Sequence, residues 1–156
     1  MPRSSASSTG TNKEGIALGP LTGIVGYHIA QAAVTTYGAF ERDIGKPYSL
    51  RKVEFSLLML LQANGALSPK QLGATLTLTA PNLTLLLDRL EARGLIRRER
   101  SETDRRSHNI VLTDAGRTLA QASADAADAM ESELDDRLSR AERLMLIELL
   151  RKVSGR

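Results

Sequence analysis

The segment Leu95-Ile96-Arg97-Arg98-Glu99-Arg100-Ser101-Glu102-Thr103-Asp104-Arg105-Arg106-Ser107-His108-Asn109-Ile110-Val111-Leu112-Thr113 decides the fold. It passes from an apolar pair, Leu95 and Ile96, through a charged stretch holding Asp104, Arg105 and Arg106, to a second apolar run from Ile110 to Leu112. Two short apolar runs around a tip too polar to bury predict a β-hairpin standing out into solvent, a wing. Just upstream, Leu83, Leu86, Leu87 and Leu90 recur at helical spacing and Gly94 follows, so the hairpin hangs from the end of an amphipathic helix. A helix followed by a basic hairpin predicts a winged helix-turn-helix, and with it double-stranded DNA as partner. Between Arg93 and Arg106 six arginines (93, 97, 98, 100, 105, 106) stand against three acids (99, 102, 104), while the whole chain is only +3, so positive charge is gathered here.

Working outward, Ser68-Pro69-Lys70-Gln71 combines an N-cap, a proline at the first helical position and a glutamine placed to close a capping box, which starts a helix. That helix is short, because Thr75 to Thr79 is rich in β-branched residues. Thr79 is expected to cap the next helix, whose leucines face inward and whose opposite face presents Pro81, Asn82, Thr84, Leu85, Asp88 and Arg89. Before this pair, Ser49 is expected to cap a strongly apolar helix through Val53, Leu57, Leu58, Leu60 and Leu61 that ends at Asn64-Gly65. An earlier helix with a broad apolar stripe (Ile24, Val25, His28, Ile29, Ala32, Ala33, Thr36) is expected to run from Leu21 to about Asp43, broken by Gly45 and Pro47. The first 13 or so residues are too polar to offset the entropy of ordering and read as a tail. After the wing, Thr113 caps a long helix through Leu119, Ala122, Ala126, Met130 and Leu134, with an alanine-rich seam suited to close packing. Ser139 with Glu142 forms another capping box, opening a last helix that bears Leu144, Ile147, Leu150 and Val153.

Composition removes several classes of function. With no cysteine there are no disulfides, no thiolate metal sites and no thiol redox switch. Apolar runs such as Leu57 to Leu61 fall far short of the roughly 20 residues that span a bilayer, and the start of the chain lacks a signal-peptide core, so a soluble cytoplasmic protein without a membrane partner is expected. Aromatic residues at 3% supply no stacking platform for unpaired bases, which disfavours single-stranded nucleic acid. The two histidines, His28 and His108, stand in unrelated contexts, and there is no nucleophile motif, phosphate loop or metal-ligand spacing, so neither an enzyme nor a cofactor is expected.

The residues Arg89-Leu90-Glu91-Ala92-Arg93-Gly94-Leu95-Ile96-Arg97-Arg98, then Asp104-Arg105-Arg106, then Val111-Leu112-Thr113-Asp114-Ala115-Gly116 resemble the MarR (multiple antibiotic resistance regulator) family of bacterial transcription factors, over about residues 20 to 153. The resemblance implies a mainly α fold with a small β-wing, a winged helix-turn-helix flanked by N- and C-terminal dimerisation helices. On that plan residues 1–18 are a flexible tail, 19–48 an N-terminal dimerisation helix, 49–113 the DNA-binding lobe and 114–156 the C-terminal dimerisation helices. It further implies a homodimer on a palindromic operator, a carboxylate at Asp104 that orients the wing, and Arg106 in the minor groove.

Within that frame the candidate DNA contacts are Pro81, Asn82, Thr84, Leu85, Arg89, Arg105, Arg106 and Ser107. Asn pairs with adenine, Thr with bases or phosphates, a leucine with a thymine methyl, and arginine with phosphates and narrow minor grooves. Asp88 would repel phosphate and is expected to pair with a nearby arginine instead. The family commonly takes a small effector, often aromatic or anionic, between the dimer helices and the DNA lobe, and His28, Tyr48 and Arg51 are candidate contacts for an aromatic acid or its coenzyme A thioester. Each also has a plainer reading, which the sequence by itself favours: His28 as a core histidine, Tyr48 as a hinge packing residue, Arg51 as a solvated charge. The alternatives are a helical dimerisation or adaptor protein without specific DNA binding, which leaves the arginine-rich wing without a role, and a DNA-binding protein that answers to no ligand.

Overall fold

The computed structural model describes residues 10–100, 108–132 and 135–155. They form two units, one ending at Gly38 and one beginning at Ala39. In the first, the Asn12 side chain accepts a hydrogen bond from the Ile16 amide at 2.8 Å and the Leu18 amide donates to the Gly10 carbonyl at 2.9 Å, closing a turn. A 3-10 turn at Gly19–Gly23 leads into helix α1, Val25–Phe40. Here the expectation of a core histidine fails. His28 is exposed, its Nε2 lies 3.0 Å from the Thr22 carbonyl oxygen, and its ring meets Tyr27 edge-on, because the apolar stripe around it is itself uncovered in this chain.

Gly45 and Pro47 do not break the helical path as expected. The chain continues through a π turn, Glu41–Gly45, into a short α2, Lys46–Tyr48, and reverses only at Ser49, which adopts φ +50°. The extra residue of a π turn makes room for the Pro47 ring against the carbonyl it would strike in a regular helix. Ser49 is therefore the end of one helix and not the cap of the next. Arg51 holds the N-cap position of α3, Lys52–Asn64, and the Glu54 side chain reaches back to accept from the Arg51 amide at 2.8 Å.

From Gly65, at φ +76°, the chain forms β1, Ala66–Leu67, then α4, Pro69–Leu76, and α5, Ala80–Ala92. Ser68 and Gln71 cap α4 reciprocally, as expected. Thr79 occupies the N-cap of α5, but its hydroxyl makes no capping bond. Pro81 has removed one of the two amides that such a hydroxyl would serve. Strands β2, Ile96–Arg100, and β3, His108–Leu112, pair antiparallel with Arg100 opposite His108, and β1 adds a third strand on the other side of β3. A two-residue strand leaves no alternation to read, so this edge was not anticipated.

Helix α6, Asp114–Ser132, is capped by the Thr113 hydroxyl, which accepts from the Gly116 amide at 3.0 Å and donates to the Gly94 carbonyl at 2.6 Å. A Cβ at Gly116 would sit 1.9 Å from the Leu95 carbonyl oxygen. The Leu-Thr-x-x-Gly pattern is thus a bolt between the start of α6 and the bend before β2, and only glycine permits that approach. Helix α6 packs on α3, but its buried line runs through Gly116, Ala120 and Ser123, one position off the expected seam, whose Leu119, Ala122, Ala126 and Met130 are half-buried beside it. Leu57, Leu58, Leu61, Leu72, Leu90 and Ile110 lie at the centre of one core beneath α3, α4, α5 and the sheet. Helix α7, Arg140–Val153, opens with the expected Ser139–Glu142 box but buries no residue in its own chain. Arg143 ties it to Glu131 at 3.0 Å and Asp135 at 3.2 Å; Leu134 lies outside the described residues. Among the described residues no helix is long and apolar enough to cross a membrane.

Candidate nucleic-acid interface

Leu83, Leu86, Leu87 and Leu90 seat α5 on the core, and this fixes what its other face offers. Pro81, Asn82, Thr84, Leu85, Asp88 and Arg89 are all exposed, as the spacing predicted. Leu85 is 65% exposed, an apolar side chain left in water among polar neighbours. The Thr84 hydroxyl donates to the Ala80 carbonyl at 3.0 Å, so its proton is used within the helix.

Asp88 takes the arginine partner expected of it. Arg98 on β2 donates to Asp88 at 2.5 Å and lies 3.5 Å from Glu91, which fastens the wing strand to α5. Arg97 is engaged by Glu99 at 2.5 Å on the same strand. Part of the basic cluster is therefore neutralised inside the chain. Asp104, Arg105, Arg106 and Ser107 lie outside the described residues; the described ladder ends at the pairing of Arg100 with His108.

Arg89 turns from the recognition face toward a group that the sequence reading missed. Glu54 is buried, 2% exposed, and its carboxylate accepts from Arg89 at 3.4 Å and lies 3.6 Å from Arg93. Arg93 also donates to the Ser49 carbonyl at 2.9 Å and to the Tyr48 carbonyl at 3.5 Å. Two arginines of α5 and its C-cap thus bind the recognition helix to α3 and to the bend before it. The signal was present, since positions 54, 57, 58 and 61 form one helical stripe and an acid on such a stripe requires a cationic partner.

Beside this cluster lies a cavity of about 450 Å³ whose lining includes Ser49, Arg51, Glu54, Arg89 and Arg93. The lining also holds the acid Glu41, and Arg89 and Arg93 already serve Glu54, which leaves Arg51 as the guanidinium to meet an anion here. Of the candidate effector contacts only Arg51 is among the cavity's lining residues. Tyr48 adds its carbonyl to Arg93 while its half-buried side chain packs on the core, as the hinge reading expected, and His28 belongs to the other unit.

A model of the MarR family matches residues 50–108. The chain is 27% identical over 135 residues to the putative transcriptional regulatory protein for the hcr operon of Thauera aromatica, covering 86% of this chain and 81% of the relative. It is 34% identical over 103 residues to the HTH-type transcriptional regulator MgrA of Staphylococcus aureus, covering 66% of this chain and 69% of MgrA. Among solved structures, the transcriptional repressor CouR bound to a 23-mer DNA duplex superposes with a TM-score of 0.81 at 34% identity, over 89% of this chain and 98% of CouR. CouR bound to p-coumaroyl-CoA gives a TM-score of 0.78 at 31% identity, over 89% and 97%.

Proposed function

The chain belongs to the MarR family of DNA-binding transcriptional regulators, and on that premise we propose that it is a homodimeric repressor, released from a palindromic operator by a small anionic ligand. It is a regulator and not an enzyme. The observation that carries the reading is the solvent-facing side of α5, where Pro81, Asn82, Thr84 and Leu85 stand next to a strand of arginines anchored by Asp88. In this reading the amino-terminal turns of α5 enter the major groove, while Arg105 and Arg106, with Ser107, contact phosphates and the minor groove and Asp104 orients the tip. Arg89 serves the groove only indirectly, by holding α5 against Glu54.

The segments that flank the DNA lobe, 19–48 and 114–156, supply the dimer contacts. Support comes from α7, whose Leu144, Ile147, Leu150 and Val153 all remain exposed in the single chain. Repression and a thioester effector are suggested by CouR, a transcriptional repressor seen with DNA and with p-coumaroyl-CoA. In this reading Arg51, in the lining of the cavity next to Glu54, takes the carboxylate of an aromatic acid or a phosphate of its coenzyme A thioester, while Arg89 and Arg93 offset that buried acid. A ligand bound more tightly to a form that misfits DNA weakens DNA binding, and DNA weakens the ligand by the same factor.

Two measurements test this. Duplex binding followed by gel shift is expected to fall steeply with salt, and Arg106→Ala to abolish tight binding with the fold intact, Arg105→Ala doing less. Equal footprints for wild type and Arg106→Ala would show that the wing does not enter the groove. A thermal-shift screen of aromatic acids and their coenzyme A thioesters is expected to give a hit lost in Arg51→Ala and kept in His28→Ala; stabilisation that survives Arg51→Ala would remove this pocket from consideration.

A further inference from the structure

The recognition face has an unusual chemical character for a surface that meets DNA. Ala80, Pro81, Asn82, Thr84, Leu85 and Asp88 make up the exposed side of the first turns of α5, and none is basic. Guanine is read most often by a bidentate arginine or lysine, through its O6 and N7. The two arginines nearest this face are committed elsewhere: Arg89 to buried Glu54 at 3.4 Å, Arg98 to Asp88 at 2.5 Å. Asp88, which could accept from a cytosine amine, is occupied by that same contact, and the Thr84 proton goes to the Ala80 carbonyl. What remains is one amide, Asn82, and one apolar tip three residues further on, Leu85, 65% exposed. Residues three apart are neighbours on a helix surface. In the major groove a single base offers an apolar group, thymine with its C5 methyl, and adenine matches an amide with N6 and N7.

We propose that α5 reads A·T pairs, with Leu85 as the specificity-determining side chain packed on a thymine methyl, Asn82 on adenine beside it, and no guanine contact from this helix. The inference rests on the DNA-binding reading above and names the chemistry of its half-site. An operator is selected from random duplex DNA by the wild-type protein, and its thymines are then replaced one at a time by deoxyuridine, which lacks only the methyl. Wild type is expected to lose about fourfold at one thymine in each half-site, the ratio that follows from burying one methyl-sized apolar group, and roughly fifteenfold when both are replaced. Leu85→Ala is expected to lose a similar factor on the thymine operator and to be indifferent to deoxyuridine. Tight binding that ignores every thymine methyl, or full methyl sensitivity retained by Leu85→Ala, overturns this assignment and leaves DNA binding standing. Failure of any duplex to bind overturns the DNA-binding reading together with it.

Discussion

Glu54 is the one charged side chain buried among the described residues, and three donors surround it: the Arg51 amide and the guanidinium groups of Arg89 and Arg93. A carboxylate withdrawn from water is tolerated only with such partners. Arg89 and Arg93 keep 43% and 31% of their side chains exposed, so removing the acid does not strand two buried cations; the loss is that of its hydrogen bonds and its packing. Glu54→Ala is therefore expected to lower the unfolding free energy by about 2–3 kcal/mol, measured by urea denaturation. A loss near zero would mean that the carboxylate does not hold α5 in place. The sequence marks Glu54 as an acid on a leucine stripe, but its partners stand 35 and 39 positions away, and no local rule connects them. Asp88 is the contrary case. Its repulsion from phosphate was enough to anticipate a nearby arginine as partner, and the structure supplies Arg98.

Among the elements, those with local signals were legible and those shaped by tertiary fit were not. Ser68–Gln71 and Ser139–Glu142 are complete within four residues, and both boxes form. The route through Gly45 and Pro47 depends on a π turn, and Ser49 is committed to the bend by its left-handed backbone. The Ser139–Glu142 box also carries a pH dependence. Hydrogen bonds from the Ser139 hydroxyl and amide hold the Glu142 carboxyl below its ordinary range. The folded state then binds fewer protons at this site than the unfolded chain does, so the contribution is complete above the ordinary carboxylate pKa and fades as pH falls through the folded value. Ser139→Ala is expected to lower the melting temperature at pH 7, and the gap from wild type to narrow as the pH is taken down to about 3, where unfolded carboxylates are largely protonated. A gap independent of pH would show that this carboxylate contributes no proton-linked stability.

For the whole molecule, the winged lobe was legible because its core leucines and glycine breaks are written at regular spacing, whereas the partner of α7 is written nowhere in one chain. That 14-residue helix buries nothing in its own chain, and isolated helices of such length are marginal in water. Leu144 and Val153 are 60% and 62% exposed, Ile147 and Leu150 both 41%, and the four recur at helical spacing as a continuous stripe. A second copy offers the same stripe, and a two-fold contact between identical faces is the commonest way for a homo-oligomer to cover one. We therefore expect wild type to sediment as a dimer at micromolar concentration, with a melting temperature that rises with protein concentration, since association stabilises only the folded form. Ile147→Lys places an ammonium in the middle of the stripe and is expected to yield monomers that keep the helical signature of the lobe. Because two lobes joined in one dimer raise each other's effective concentration on a palindrome, those monomers are expected to bind the full operator about 100-fold or more weakly while retaining affinity for a half-site. Wild-type monomers, or an Ile147→Lys protein that still sediments as a dimer, would move the interface away from this face of α7.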